Sequence, residues 1–221
     1  MPNSENVIKS LNRSAFALRR PGSIWSKPDR RAFINDIAFT AFAEAYRSRG
    51  QERITSLSDV YDSAVESARA HQSQFTHSTN KVFEDPTLLE RTEVMSLFRC
   101  LVAFKNKVIG RRTHLHFSPR FKGCGILDSC AADMIAADIL IEVKAGDRNF
   151  RSPDIRQVLT YCVLNQIEKL HDIRRICFVN PRRALYALVD LDTLCLQLSS
   201  KSPPELLSEI EYFLSSGEMS L

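Results

Sequence analysis

Apolar and polar positions follow two different periods along this chain, and the period changes near Gly110. Upstream, apolar residues recur every three to four positions, as amphipathic helices require. Phe33, Ile34, Ile37, Phe42 and Ala45 predict a helix from a cap at Asp29 to about Arg49, with Gly50 as its stop. "SLSDVYDSAVESARAHQ" predicts a second, weakly amphipathic helix, and "SQFTHSTNKVFEDP" reads as a loop by composition. Asp85 and Pro86 open a third helix, whose Leu88, Leu89, Val94, Leu97, Phe98, Leu101 and Val102 form a broad apolar face. Residues 1–28 are polar, basic and proline-containing, and read as irregular.

After Gly110 the runs become short and β-rich: "THLHFS", "CGILDS", "ADMIA", "ILIEVKA", "RICFVNP" and "LYALVDL", separated by turn signals. One clear helix, "SPDIRQVLTYCVLNQIEKLH", interrupts them, with Ser152 as cap, Pro153 in the first turn and Asp154 complementing the helix dipole. A last helix, "PPELLSEIEYFLSS", ends at Gly217. The pattern predicts an α/β fold: a helical N-terminal region over 1–110, selecting substrate or partner, and a mixed-sheet core flanked by helices over 111–221.

Composition changes this picture little. The chain has 221 residues, 44% of them apolar and 25% charged, with a net charge of +4. That permits nucleic-acid binding without demanding it. No run of about 18 apolar residues marks a membrane span. The first twenty residues lack the apolar stretch and cleavage site of a secretory signal, so a cytoplasmic protein is expected. The six cysteines lie mostly in apolar runs at spacings unlike a zinc knuckle, and read as buried thiols. No glycine-rich phosphate loop and no Ser-His-Asp or Cys-His signature is present, which disfavours ATP hydrolysis by this chain.

Candidate chemistry sits in "ADMIAADILIEVK". Glu142 and Lys144 are two apart on a strand whose preceding residues are fully apolar, so they share one face of a buried element. A tight hairpin around Ala136, Ala137 and Asp138 brings Asp133 opposite Ile141 or Glu142. Two carboxylates beside one ammonium are costly to bury unless a cation joins them. Hard oxygen donors favour Mg²⁺, with Mn²⁺ able to substitute, held by Asp133, Glu142 and the carbonyl of Val143. Such an ion polarises a phosphodiester and acidifies a bound water, while Lys144 stabilises the hydroxide and the charge growing on phosphorus.

The stretch 123–165 resembles the PD-(D/E)xK, or restriction-endonuclease-like, nuclease superfamily. The resemblance lies in an aspartate followed by Glu142-x-Lys144 and then by Gln157-x-x-x-Tyr161 on the next helix, where the last two lie on one face a single turn apart. It implies a restriction-endonuclease-like mixed sheet and metal-dependent DNA cleavage, with Gln157 and Tyr161 joining the catalytic set. Asp128, in "GILD", resembles the Gly-x-x-Asp form of the motif and competes with Asp133 as the metal-binding aspartate. A further acid on an upstream helix is also implied, with Glu93 first and Glu44 and Glu90 behind it. Roles in restriction, phage defence, transposition or repair, beside a helicase or ATPase, follow from the resemblance alone.

Arg148, Arg151 and Arg156 flank a helix start and form a candidate phosphate-binding corner, with Arg120 and Lys122 just upstream. His114 and His116 share a strand face, and Trp25 and Phe150 are candidates for base stacking. DNA is the expected substrate, with RNA sharing the same site. A nuclease-fold subunit that binds nucleic acid or protein without cutting is the competing reading, and a homo-oligomer is compatible with either.

Overall fold

In a computed structural model, which describes residues 3–19, 22–47, 57–75 and 84–216, two helical layers enclose a mixed sheet. The chain begins with α1 (Ser4–Arg13) and a two-residue strand β1 (Phe16–Ala17). A 3₁₀ turn (Pro28–Arg30) then leads into α2 (Arg31–Arg47), followed by α3 (Leu57–Phe75) and α4 (Leu88–Phe104). Next come β2 (His116–Phe117), β3 (Arg120–Phe121), β4 (Cys130–Ala131), β5 (Met134–Ala136) and β6 (Ile139–Val143). The chain continues through α5 (Ser152–Glu168), β7 (Arg175–Asn180), β8 (Leu185–Asp190), α6 (Leu191–Ser199) and α7 (Pro203–Ser216).

The main sheet has the order β1-β8-β7-β6-β5-β2. Among the described strands, only β6 and β7 pair in parallel, joined by the α5 crossover; the other pairs are antiparallel. A separate β3–β4 ribbon packs beside α5. Alternation along the strands assigns the faces. Met134, Ala136, Ile139, Ile141, Cys177 and Val179 join α2, α3 and α4 in one core. Ile135, Leu140, Ile176, Phe178 and Ala187 join α1, α5, α6 and α7 in the other. The central strand β6 is therefore apolar on both sides because both sides are covered. Helices from the first half of the chain share a core with the sheet, and β1 extends that sheet beyond β8.

Several elements differ from the sequence pattern. Residues 4–13 are helical because Val7 and Leu11, one turn apart, bury against the α5 side. Asp29 lies within the 3₁₀ turn ahead of α2, while Arg49 and Gly50 lie outside the described residues. So do residues 76–83 of the expected loop and Gly217. Thr87, not Asp85, caps α4: its hydroxyl accepts from Glu90 N at 3.2 Å, and the Glu90 carboxylate accepts from Thr87 N at 2.9 Å. The buried face of α4 is rotated accordingly, so Leu88 is 80% exposed while Glu90 and Glu93 are buried. Beyond Phe104 the helix widens into a π-turn to Gly110, where the buried Lys105 ammonium donates to the carbonyls of Gly110 and Arg111 at 2.5 and 3.2 Å. Arg151, not Ser152, is the residue that caps α5. The segment "CGILDS" makes one isolated bridge, Cys124 to Leu127, instead of a strand. Leu191, Leu194, Cys195 and Leu198 bury one stripe of α6, a helix concealed behind the strand pattern that precedes it. All six cysteines are free thiols, four of them buried.

Candidate active site

The site grows from the end of β6. Leu140 faces α5, so Glu142 and Lys144, at the same parity, face it too. The main chain at Lys144 is held by a hydrogen bond from its N–H to Val179 O at 2.8 Å. Its ammonium donates to Glu142 Oε1 at 2.6 Å and to Gln157 Oε1 at 2.5 Å, and lies 3.9 Å from Asp154 Oδ1. Gln157 Nε2 in turn donates to Tyr161 OH at 2.7 Å. Positions 157 and 161 are one helical turn apart on α5, which is why one amide spans the ammonium and the phenol. Glu142, Lys144, Gln157 and Tyr161 are thus brought together as one chain of hydrogen bonds.

Asp133 occupies a bend immediately before β5. The hairpin pairs Met134 with Ile141 and Ala136 with Ile139, with Ala137 left-handed in the two-residue turn (φ 51°). Extending that register by one residue sets Asp133 against Glu142. Asp133 Oδ2 accepts from Val143 N at 2.6 Å, which lays its carboxylate in the gap between the two strands. Asp138, in the turn itself, is paired with Arg175.

Burial raises the Asp133 carboxyl above the ordinary carboxylate range, against the pull of the Val143 amide and of Lys144. Burial also pushes Glu142 up, and the neighbouring Asp133 charge pushes it further, to about 8 despite the Lys144 ammonium. Glu142 is only 3% exposed, and its Oε2 is a buried atom without a hydrogen-bond partner among the described residues. Burial raises the Tyr161 hydroxyl as well, so it stays protonated.

The loop after Lys144 is anchored from three directions. Ala145 O accepts from Asn35 Nδ2 at 3.0 Å and from Arg182 Nε at 2.7 Å. Asn180 Nδ2 donates to Gly146 O at 2.8 Å, and the Asn12 side chain of α1 pairs with both N and O of Phe150 at 3.0 Å. This loop delivers Asp154, buried at the start of α5. The Arg148 guanidinium and the Arg151 amide hold its carboxyl below the usual range against the effect of burial.

Other candidates stand elsewhere. Asp128 is exposed in the irregular segment before β4 and has no described bond to Glu142 or Lys144, which leaves Asp133 as the aspartate of the cluster. Glu93 is not at this site: its carboxylate accepts from Trp25 N, Ser26 N and Ser26 Oγ at 2.6–2.9 Å and pairs with the Arg182 guanidinium inside the protein. Glu90 pairs with Arg30, and Glu44 accepts from Ser63 Oγ. Arg148, expected at the phosphate-binding corner, pairs with Asp154 at 2.8 and 2.9 Å. Arg120, Lys122, Arg151 and Arg156 are exposed. Phe150 is buried against Phe178 and cannot stack on a base, whereas Trp25 is half exposed. His116 meets His171, not His114, at a ring separation of 5.4 Å.

One acid escaped the sequence reading. Asp36 of α2 lines a pocket of about 250 Å³ together with Asp133 and Val143, and its charge raises the Asp133 carboxyl. Its signal was a carboxylate three residues from Phe33 and from Phe39, on the same side of the helix.

No family model, curated protein or solved structure matches the chain. Among the described residues no group of three or more His, Cys, Asp or Glu side chains could hold a metal ion, and no helix is long and apolar enough to cross a membrane. Two carboxylates are therefore the anionic share that Asp133 and Glu142 offer. That donor set fits Mg²⁺, which is commonly held by one or two carboxylates, with waters and substrate phosphate completing its shell. The orphaned Glu142 Oε2 is the acceptor such an ion would satisfy.

Proposed function

We propose that this protein is a Mg²⁺-dependent nuclease of the restriction-endonuclease-like class that hydrolyses phosphodiester bonds in DNA. The observation carrying this reading is the cluster Asp133–Glu142–Lys144–Gln157, with one buried carboxylate oxygen lacking any partner among the described residues. Asp133 and Glu142 would hold the metal, which when bound supplies Lewis-acid activation of water and phosphate. Lys144 is held by Glu142 and Gln157 so that its ammonium faces the acid pair, where it would neutralise charge developing on phosphorus. Gln157 orients that ammonium, and Tyr161 fixes Gln157 in turn. RNA presents the same phosphodiester and is the second substrate to assay.

The test is cleavage of linear, circular and single-stranded DNA, and of RNA, with Mg²⁺ or Mn²⁺ and with EDTA. Metal-dependent cleavage is expected. Glu142→Ala and Lys144→Ala should each lower it by at least about 10²-fold, the loss typical of removing one electrostatic stabiliser. Circular dichroism and melting curves identify variants that remain folded. A folded Lys144→Ala protein cutting at the wild-type rate excludes the assignment.

A second reading is a subunit that binds nucleic acid without cutting it. It is favoured by the depth of Glu142 and by the position of the pocket, whose walls include Asp133 but not Glu142 or Lys144. Salt-sensitive DNA binding with no nicking in either metal would select it.

A further inference from the structure

The pocket shared by Asp36 and Asp133 is walled by residues of α2 and α4, does not include Glu142 or Lys144, and takes no part in the hydrogen-bond chain from Glu142 to Tyr161 described above. Its volume of about 250 Å³ is too large for a single water, which occupies roughly 30 Å³ of liquid. It is also smaller than the roughly 300–1,000 Å³ of sites for drug-sized ligands. One or two fused rings suit that space.

The walls differ in chemistry. Phe39, Leu97 and Leu101 supply an apolar side, while Asp36 and Asp133 supply carboxylates. The neighbouring Asn35 offers little, because its amide is committed to Ala145 O and to Arg182. Asp36 Oδ2 accepts from Gln72 Nε2 and lies 3.2 Å from His71 Nδ1, so two contacts from α3 fix the carboxylate and use that oxygen. Oδ1 makes no hydrogen bond among the described residues and is the acceptor offered to a ligand. A flat ring with an amino donor at its edge complements both walls, through stacking on the apolar side and a charge-assisted hydrogen bond on the other.

We propose that this pocket takes one unstacked nucleobase of the substrate, and that Asp36 reads its exocyclic amino group. The inference rests on the phosphodiester reading of the neighbouring acid pair and sharpens it. The preferred substrate has an unpaired base, since a base inside a duplex cannot enter such a pocket without leaving the stack. Adenine, cytosine and guanine carry the amino group; thymine and uracil present only acceptors and one ring N–H.

The experiment measures binding of labelled oligo(dA), oligo(dC) and oligo(dT), each about ten nucleotides long, to the full chain in EDTA. Fluorescence anisotropy should show oligo(dA) and oligo(dC) binding about tenfold tighter than oligo(dT), the difference one charge-assisted hydrogen bond makes. Asp36→Asn supplies an amide that donates as well as accepts, and should erase that gap. Ala32→Trp, at an exposed position on the rim, should weaken all three while leaving the melting temperature near wild type.

Equal affinity for the three oligonucleotides overturns the inference, and so does a folded Ala32→Trp protein that binds as wild type. If no oligonucleotide binds while Mg²⁺-dependent nicking of duplex DNA persists, the pocket assignment alone fails. If neither binding nor cleavage occurs, the phosphodiester reading fails with it.

Discussion

Glu142 concentrates the electrostatic problem of this molecule in one side chain. It is nearly inaccessible, faces a second carboxylate, and has one oxygen with no hydrogen-bond partner among the described residues. Lys144 offsets one negative charge of the pair, so a proton or a metal ion must offset the other. The sign of the resulting pH dependence is fixed. A carboxyl raised in the folded state gives stability that is complete below its ordinary titration range and is lost as pH rises through the raised value, about 8 for Glu142. Asp133, also raised, contributes with the same sign. The melting temperature in EDTA should therefore fall between about pH 5 and about pH 9. Glu142→Gln, which needs no proton, should flatten that fall, and Mg²⁺ should reduce it for the wild type only. Superimposable profiles for wild type and Glu142→Gln would show that Glu142 is not the titrating group. Limiting Mg²⁺ gives the complementary readout: cleavage should rise with pH toward about 8, because the ion competes with protons for the same oxygens.

Among the elements, the turn between β7 and β8 ties the layers together through Arg182. Its guanidinium reaches Glu93 of α4, Asn35 of α2 and the carbonyl of Ala145 behind the site, at 1% side-chain exposure. Arg182→Met would leave the Glu93 charge buried without its cation, and should lower stability by about 3–5 kcal/mol in urea denaturation. The double change Arg182→Met with Glu93→Met should cost less than the sum of the single changes, since neither charge is then stranded. This element also marks where the sequence ceased to be informative. The β5–β6 hairpin was legible because its tight turn limits the register, and the two-residue period of a strand puts Glu142 and Lys144 on one face. Gln157 and Tyr161 were singled out by the resemblance, and their i, i+4 spacing put them on one helix face. Glu93 was misplaced because periodicity locates a residue on a helix without naming the partner packed against it. Asp36 was missed for the same reason: about a hundred residues separate it from Asp133, and only the packing of α2 on the sheet brings them to one pocket. α1 went unread because two buried residues in a polar stretch make too weak a stripe.

For the whole molecule, a net charge of +4 sets a modest overall field, so contact with a polyanion depends on where cations remain exposed. Arg120 and Lys122 on and beside β3, and Arg151 and Arg156 at the start of α5, are exposed around the helix that carries Gln157. Arg148 sits among them in sequence but is neutralised by the buried carboxylate of Asp154, which fixes the loop behind Lys144. The two kinds of arginine should separate in one experiment. DNA affinity measured over a range of salt concentrations gives a log–log slope that counts phosphate contacts. Arg151→Ala and Arg156→Ala should each reduce the magnitude of that slope by about one and leave the melting temperature near wild type. Arg148→Ala should leave the slope unchanged while lowering the melting temperature, because it strands Asp154 with only the Arg151 amide and a distant Lys144. A slope that falls for Arg148→Ala as much as for Arg156→Ala would mean that the Asp154 pair opens on binding, and that the loop behind Lys144 moves when nucleic acid arrives.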